Sequence, residues 1–253
     1  MDYSIPVRTV YSTDKDDQGI VPWAIQRGLN QIPPGPPLPE DGDYGAATKA
    51  AVRAFQRKAD LLDDGVFGPA SSGALARRIQ RKVDDGLPNR LLRSVVEGES
   101  NGLIGAVNWS VAGGVDCGYT QRRVKAAQYG EWEAVKRAFD PRYQFALLRT
   151  TLISRYATFL DREGVAGDNE LAWRLAVLNH NYPYAADMIS RLGTDGLSTY
   201  WRTPQQWVLN TGARFDDGSF VETPLNWCRF YSLGASKRNH KGNMVRLVDD
   251  WTV

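Results

Sequence analysis

Hydrophobic and polar residues follow a helical period along most of the chain. Apolar side chains recur about every three to four positions, which is typical of helices that bury one face. The stretches with this pattern are residues 21–29, 46–58, 69–82, 131–139, 144–161 and 170–178. The pattern predicts a mainly α protein.

A further short helix is predicted from residue 91, with two carboxylates in its last turn. At about 100° per residue, Glu99 falls at the centre of the apolar face and Glu97 on the opposite side. That face consists of Leu91, Leu92, Val95 and Val96. A desolvated carboxyl group tends to stay protonated, as the general acid of a glycosidase must. The alternative is a helix-end glutamate that reaches solvent.

Glycine and proline divide the chain into two predicted domains. Residues 1–18 are polar and acidic and are expected to form a tail. Residues 19–83 are predicted to form a small three-helix domain, and residues 84–90 a linker that contains Gly and Pro. Residues 91–253 would form a larger, mainly helical domain. Its glycine-rich stretch near residues 112–114 could turn a short β-hairpin.

Composition narrows the function classes. The 253 residues include 42% hydrophobic and 24% charged residues, with a net charge of +2. This balance is typical of a globular protein and gives no reason to expect nucleic acid as a partner. No apolar run is long enough to predict membrane insertion. Two Cys and two His form no zinc signature, so no metal or cofactor is predicted. Separately, the protein is expected to be a monomer.

The N-terminal motifs resemble a known wall-binding family. The stretches DGDYGAATKAAVRAFQ and DDGVFGPASSGAL carry two Asp-Gly-x-aromatic-Gly turns around Ala-Val-x-x-Phe-Gln. Ile25, Gln26 and Leu29 add a Leu-Gln-x-x-Leu pattern, with Ile for the first Leu. Together these residues resemble the three-helix peptidoglycan-binding domain of cell-wall hydrolases, although the proline-rich insert at residues 32–39 departs from its pattern. The resemblance implies bacterial peptidoglycan as the partner.

A second set of motifs is similar to the lysozyme superfamily. Glu99-Ser100-Asn101 is followed by Asp116-x-Gly118-x-x-Gln121. Animal lysozymes place a catalytic Glu-Ser pair and a catalytic Asp at this same interval, whereas lytic transglycosylases typically lack the Asp. The resemblance implies an α+β lysozyme-like domain with Glu99 and Asp116 as catalytic residues. It also implies substrate contacts from three residues: Ser100, Tyr119 and Gln121. An Asp in a glycine-rich loop is otherwise a turn residue, and that alternative stays open for Asp116.

The region after Asp140-Pro141 resembles the second half of a transglycosylase-like domain. A long amphipathic stretch leads to the Ala- and Leu-rich residues 170–178, and then to Asn179-His180-Asn181-Tyr182-Pro183. The family has a Tyr-Asn-x-Gly-Pro element here that lines the sugar cleft, and this chain lacks its glycine. The resemblance implies Asn179, Asn181 and Tyr182 as substrate-binding residues.

The two resemblances together imply a modular bacteriophage endolysin. The expected activity is that of a muramidase, which cleaves the β-1,4 bond between N-acetylmuramic acid and N-acetylglucosamine. One alternative is a lytic transglycosylase that forms 1,6-anhydro products. The other is a non-catalytic wall-binding virion protein. The first residues lack a secretory signal, which predicts synthesis in a host cytoplasm and access to the wall through a separate pore, or carriage in a virion.

Overall fold

The computed structural model describes residues 3–32, 37–83, 86–88, 91–109, 113–162, 165, 167–181, 186 and 190, with two short strands near the C-terminus. The helices are α1 Ile20–Asn30, α2 Ala46–Lys58, α3 Pro69–Gln80, α4 Leu91–Ser100, α5 Trp132–Phe139, α6 Pro141–Leu160 and α7 Asn169–Asn181. The prediction of a mainly α protein is confirmed. Within the described ranges, no helix is both long and apolar enough to cross a membrane.

A small antiparallel sheet follows α4. Its strands are β1 Val107–Asn108, β2 Gly114–Cys117 and β3 Arg122–Lys125, with β2 in the centre. The sheet has one strand more than the expected hairpin. The alternative that Asp116 is a loop residue is wrong, because Asp116 lies in β2 opposite Arg123 of β3. A separate antiparallel pair joins β4 Lys237–Arg238 to β5 Met244–Val245.

The chain forms two compact units. The first joins residues 1–85 with 95–148, and the second joins 86–94 with 149–253. The three N-terminal helices and the three-stranded sheet therefore belong to one unit. Its core contains large side chains from both parts of the chain, including Trp23, Ile25, Tyr44, Phe55, Leu75, Tyr119, Phe139 and Phe145.

A buried glutamine organises the first Asp-Gly turn. The Gln26 amide nitrogen donates to the Asp41 carboxylate at 2.7 Å and to the Thr48 hydroxyl at 3.0 Å. Its carbonyl oxygen accepts the backbone N–H of Gly42 at 2.8 Å. Gln26 has no exposed surface, so its amide satisfies the polar groups of the turn inside the domain.

The second turn repeats this network with Gln56. The amide nitrogen of Gln56 donates to Asp64 at 3.0 Å and to Ser71 at 3.1 Å, and its oxygen accepts the N–H of Gly65 at 2.9 Å. Gly65 has a φ of +77°, and its counterpart Gly42 has a φ of +73°. Both glycines therefore adopt the left-handed conformation that glycine accommodates without steric cost. The two turns are copies of one hydrogen-bonded unit.

The N-terminal residues are not the predicted polar tail. Ile5 and Thr13 are buried, and three backbone bridges hold the segment in place. Thr13 pairs with Phe67 in the turn before α3, Val10 with Gly105 just before β1, and Gln18 with Asp43 in the first Asp-Gly turn. The sequence-based prediction is wrong for residues 3–18, because backbone groups of this segment pair with three distant parts of the chain. We call these residues the N-terminal strap.

An aromatic cluster joins the strap to α1 and α5. The rings of Tyr3 and Trp132 lie 3.8 Å apart between centroids, and Trp23 meets Trp132 edge-on at 6.4 Å. The Lys136 ammonium lies 4.3 Å from the Trp132 ring centroid. Aromatic and cation–π contacts of this kind add to simple area burial, so the cluster strengthens the packing of α1 against α5.

Candidate functional site

Helix α4 buries the predicted apolar face. Leu91, Leu92, Val95 and Val96 are each at most 1% exposed. Glu97 and Glu99 are both half-buried, which differs from the predicted contrast between a covered Glu99 and a solvent-facing Glu97. Arg93, one helical turn before Glu97 on the same side of α4, is half-buried as well. The polar face is therefore partly covered, and burial alone does not distinguish the two carboxylates.

A buried serine joins the end of α4 to the sheet. The Ser100 side chain is 3% exposed. Its hydroxyl oxygen lies 2.8 Å from the carbonyl oxygen of Tyr119, with a second acceptor in the Val96 carbonyl at 3.1 Å. The two motifs singled out in the sequence, Glu-Ser and Gly-x-x-Gln, thus meet through a hydrogen bond. This contact fixes the last turn of α4 against the turn that follows β2.

The turn after β2 requires glycine at position 118. Gly118 has a φ of +71°, and a Cβ there would lie 2.8 Å from the Ala138 carbonyl oxygen. It would also meet the amide of Gln144, a buried side chain that accepts the Thr120 N–H at 2.8 Å and donates to Ala138 at 2.8 Å. Gln121 closes the turn by donating to the Gly118 carbonyl at 3.0 Å. The turn is therefore rigidly packed from both sides.

Tyr119 lies in the core. Its side chain has no exposed surface, and burial raises the pKa of its phenol. The hydroxyl donates to the Ser72 carbonyl at 2.8 Å, and the ring stacks on Phe145 with centroids 5.4 Å apart. Burial therefore favours a structural role for Tyr119, and also for Ser100, over the predicted contact with substrate. The substrate contact of the half-buried Gln121 stays a prediction.

Asp116 forms a bidentate ion pair with Arg123. The Arg123 Nε donates to Oδ1 at 2.7 Å, and a terminal nitrogen donates to Oδ2 at 3.0 Å. The hydrogen bond to Asp116 raises the pKa of Arg123. Bidentate pairs are the strong form of this interaction. Both carboxylate oxygens are engaged, so Asp116 would have to leave Arg123 before its oxygen could attack a sugar carbon.

The remaining predicted residues lie in or beyond α7. Asn179 is half-buried and Asn181 is the last residue of the helix, both in the second unit. Tyr182 lies outside the described residues. The substrate contacts predicted for Asn179, Asn181 and Tyr182 stay predictions. Cys117 is a free, buried thiol whose pKa is raised by burial and then by the charge of Asp116. Cys228 lies outside the described residues.

Among the described residues, no group of three or more His, Cys, Asp or Glu side chains could hold a metal ion. The last turn of α4 carries two half-buried carboxylates, Glu97 and Glu99. Groups of this kind can donate and accept protons, which is the chemistry of general acid–base catalysis.

Comparison with known proteins identifies the N-terminal helices. Residues 24–75 match the model of the peptidoglycan binding domain family. The match covers α2 entirely, with most of α1 and the first half of α3. No curated protein matches the chain. The predicted peptidoglycan-binding domain is therefore supported by the family match, and the chain contains a cell-wall-binding module.

Proposed function

We propose that this protein is a peptidoglycan-degrading glycosidase that binds the wall through its N-terminal helices. The bond attacked is the β-1,4 link between N-acetylmuramic acid and N-acetylglucosamine. The observation that carries the proposal is the hydrogen bond from Ser100 to the Tyr119 carbonyl. It joins the helix end that carries Glu99 to the Gly-x-x-Gln turn, the two elements that resemble the lysozyme superfamily.

In the proposed mechanism, Glu99 acts first as general acid. It donates its proton to the glycosidic oxygen as the bond to the muramic acid carbon breaks. The ionised Asp116 stabilises the oxocarbenium-like transition state or attacks as nucleophile, and Glu99 then takes a proton from the incoming water. Positioned proton transfer contributes about 10²–10⁴ in rate.

A lytic transglycosylase is the second candidate, and the Asp116–Arg123 pair favours it. A carboxylate held by two hydrogen bonds from Arg123 is poorly available for attack on the sugar. If Asp116 takes no part, Glu99 is the acid and the base, and it accepts a proton from the muramyl 6-hydroxyl instead of from water. The product then ends in a 1,6-anhydro ring.

Mass spectrometry of the released fragments tests these proposals. Purified peptidoglycan is incubated with the protein, and the mass of each released fragment is measured. That mass shows whether the muramic acid end is hydrated or anhydro. Hydrated ends support the muramidase. Anhydro ends, which are lighter by one water molecule, support the transglycosylase. A protein that sediments with peptidoglycan but releases no fragments would overturn both and identify a non-catalytic wall-binding protein, such as a virion component.

The biological setting follows from the same proposal. A wall-binding glycosidase of this kind suits a bacteriophage endolysin, which reaches the periplasm and wall from the host cytoplasm through a separate pore. The fragments released by the protein from isolated walls would be the same whether it is free or carried in a virion. Detection of the chain in purified virions separates the two.

A further inference from the structure

A groove of about 600 Å³ lies within the wall-binding helices. It runs between the C-terminal end of α1, the segment 37–39, and α2, and one side chain of α3 closes it. The groove belongs entirely to the first compact unit. Its ligand is not defined by the family match, which names peptidoglycan without naming the part that is bound.

The long side of the groove is made of alkyl groups. Its floor is a row of α2 alanines, of which Ala47 and Ala50 are exposed. The opposite wall contains Pro37, Leu38 and Pro39. These side chains offer no hydrogen bonds, so this part of the groove suits methyl and methylene groups.

The wall of the groove is held in place by Asn30. The Asn30 side-chain oxygen accepts the Leu38 N–H at 2.8 Å, and its nitrogen donates to the Leu38 carbonyl at 3.0 Å. That nitrogen also donates to Glu40 at 3.1 Å. The Asn30 amide therefore fixes the position of the segment that forms this wall of the groove.

One end of the groove is cationic. The Arg78 guanidinium lies over the Phe55 ring, 5.1 Å from its centroid, and donates to the carbonyl of Lys58. Lys58 lines the same end. A guanidinium has five N–H donors in a planar fork that matches a carboxylate. An alkyl channel that ends in two cations is complementary to a short apolar chain with a terminal carboxylate.

Peptidoglycan offers two kinds of ligand, and these observations separate them. Glycan is a polyhydroxyl chain that is recognised by aromatic faces and polar side chains. Here the aromatic ring of Phe55 is 5% exposed and covered by Arg78, and the Asn30 amide is already engaged. The peptide stem carries alanine methyl groups and ends in a carboxylate. We propose that this groove binds the peptide stem of peptidoglycan, with its C-terminal D-alanine carboxylate at Arg78 and Lys58.

The proposal rests on the wall-binding part of the proposed function and does not depend on Glu99. Binding of the full-length chain is measured by calorimetry with three soluble probes. These are a synthetic stem tetrapeptide that ends in D-alanine, its C-terminal amide, and a peptide-free tetrasaccharide of the glycan. The tetrapeptide is expected to bind. Its amide should bind about tenfold more weakly, which corresponds to a loss of about 1.4 kcal/mol at the charged end. The tetrasaccharide should bind most weakly of the three.

Two variants locate the site. Ala50→Trp fills the groove at an exposed helix position, and Arg78→Gln removes the cation; each is expected to weaken tetrapeptide binding about tenfold or more. The matched controls are Ala46→Trp, exposed at the start of α2, and Arg77→Gln, exposed on α3, neither of which lines the groove. Unchanged thermal unfolding of each variant establishes that the fold is intact.

The possible results separate the two levels of the proposal. Tetrasaccharide binding that exceeds tetrapeptide binding, or tetrapeptide binding that both groove variants leave unchanged, would overturn the stem assignment while wall binding stands. Failure of the full-length chain to sediment with intact peptidoglycan would overturn wall binding itself. Loss of tetrapeptide binding in the groove variants, with the controls unaffected, supports the assignment.

Discussion

Ser72 and Tyr119 are hydrogen-bonded to each other in the core. The Tyr119 hydroxyl donates to the Ser72 carbonyl at 2.8 Å and lies 3.1 Å from the Ser72 hydroxyl. The Ser72 hydroxyl also accepts the Ile104 N–H at 2.9 Å. Ser72 belongs to α3 of the wall-binding helices, and Tyr119 belongs to the turn that holds Ser100. The wall-binding module is thus packed directly against the candidate catalytic elements.

Removing the Tyr119 hydroxyl should destabilise the first unit. Tyr119→Phe leaves polar atoms of Ser72 buried without this partner, and a loss of about 1–3 kcal/mol in the free energy of unfolding is expected. Denaturant unfolding measures the change. Tyr11→Phe is the matched control, because Tyr11 is 57% exposed. Equal stability of the two variants would contradict a structural role for the hydroxyl.

Deleting the N-terminal helices should prevent the remainder from folding normally. A chain that begins at residue 84 loses the partners of Tyr119 and also the Arg27 guanidinium, which pairs with Asp140 at 3.1 Å. It also uncovers the buried Tyr119 hydroxyl, which contacts Ser72 of α3. We expect loss of near-ultraviolet circular dichroism and of cooperative unfolding. A truncated chain that unfolds cooperatively with full lytic activity would show that the two parts are independent.

Glycine 118 should be far more sensitive to substitution than glycine 113. Both have positive φ values, +71° and +74°, so alanine at either position costs about 1–2 kcal/mol of backbone strain. A Cβ at Gly113 meets nothing within 4 Å, whereas at Gly118 it collides with Ala138 and Gln144. Gly118→Ala should therefore lower Tm well below that of Gly113→Ala. Equal Tm values for the two variants would contradict the packing of this turn.

The first Asp-Gly turn should contribute a stability that depends on pH. The pKa of Asp41 is lowered because its carboxylate accepts hydrogen bonds from the Asp43 N–H and then from Gln26. A lowered folded-state pKa stabilises the fold above the unfolded value of about 3.9, and this contribution is lost as pH falls through the folded value. Asp41→Asn should lower Tm at pH 7, with a difference from the unmodified chain that shrinks in acid. A difference that is constant with pH would exclude a charge effect.

Helices α1 to α5 were predictable from sequence because each carries its own apolar period and stop signals. The bounds of α2 match residues 46–58, since glycine turns precede it and a polar segment follows. The roles of Gln26 and Gln56 were not predicted. Both residues belong to the sequence motifs of the family, but their side chains form hydrogen bonds with Asp-Gly turns that lie farther along the chain. The recurrence of Gln before each Asp-Gly turn was the signal available.

The strap and the environment of Asp116 depend on distant contacts. Residues 3–18 look like a tail because most of their side chains are polar, yet their backbone pairs with Phe67 and Gly105. The spacing from Glu99 to Asp116 suggested a catalytic pair. It contained no information on Arg123, which reaches Asp116 only because β2 and β3 pair in this register.

The proposed role of Glu99 as general acid is tested by a turbidity assay on peptidoglycan with two matched variants. Glu97→Gln makes the same chemical change in the same helix turn, and the Glu97 side chain is half-buried like that of Glu99. We predict that Glu99→Gln lowers the rate of clearing by at least about 10²-fold, whereas Glu97→Gln retains most of it. Clearing by Glu99→Gln together with loss of clearing by Glu97→Gln would contradict the assignment.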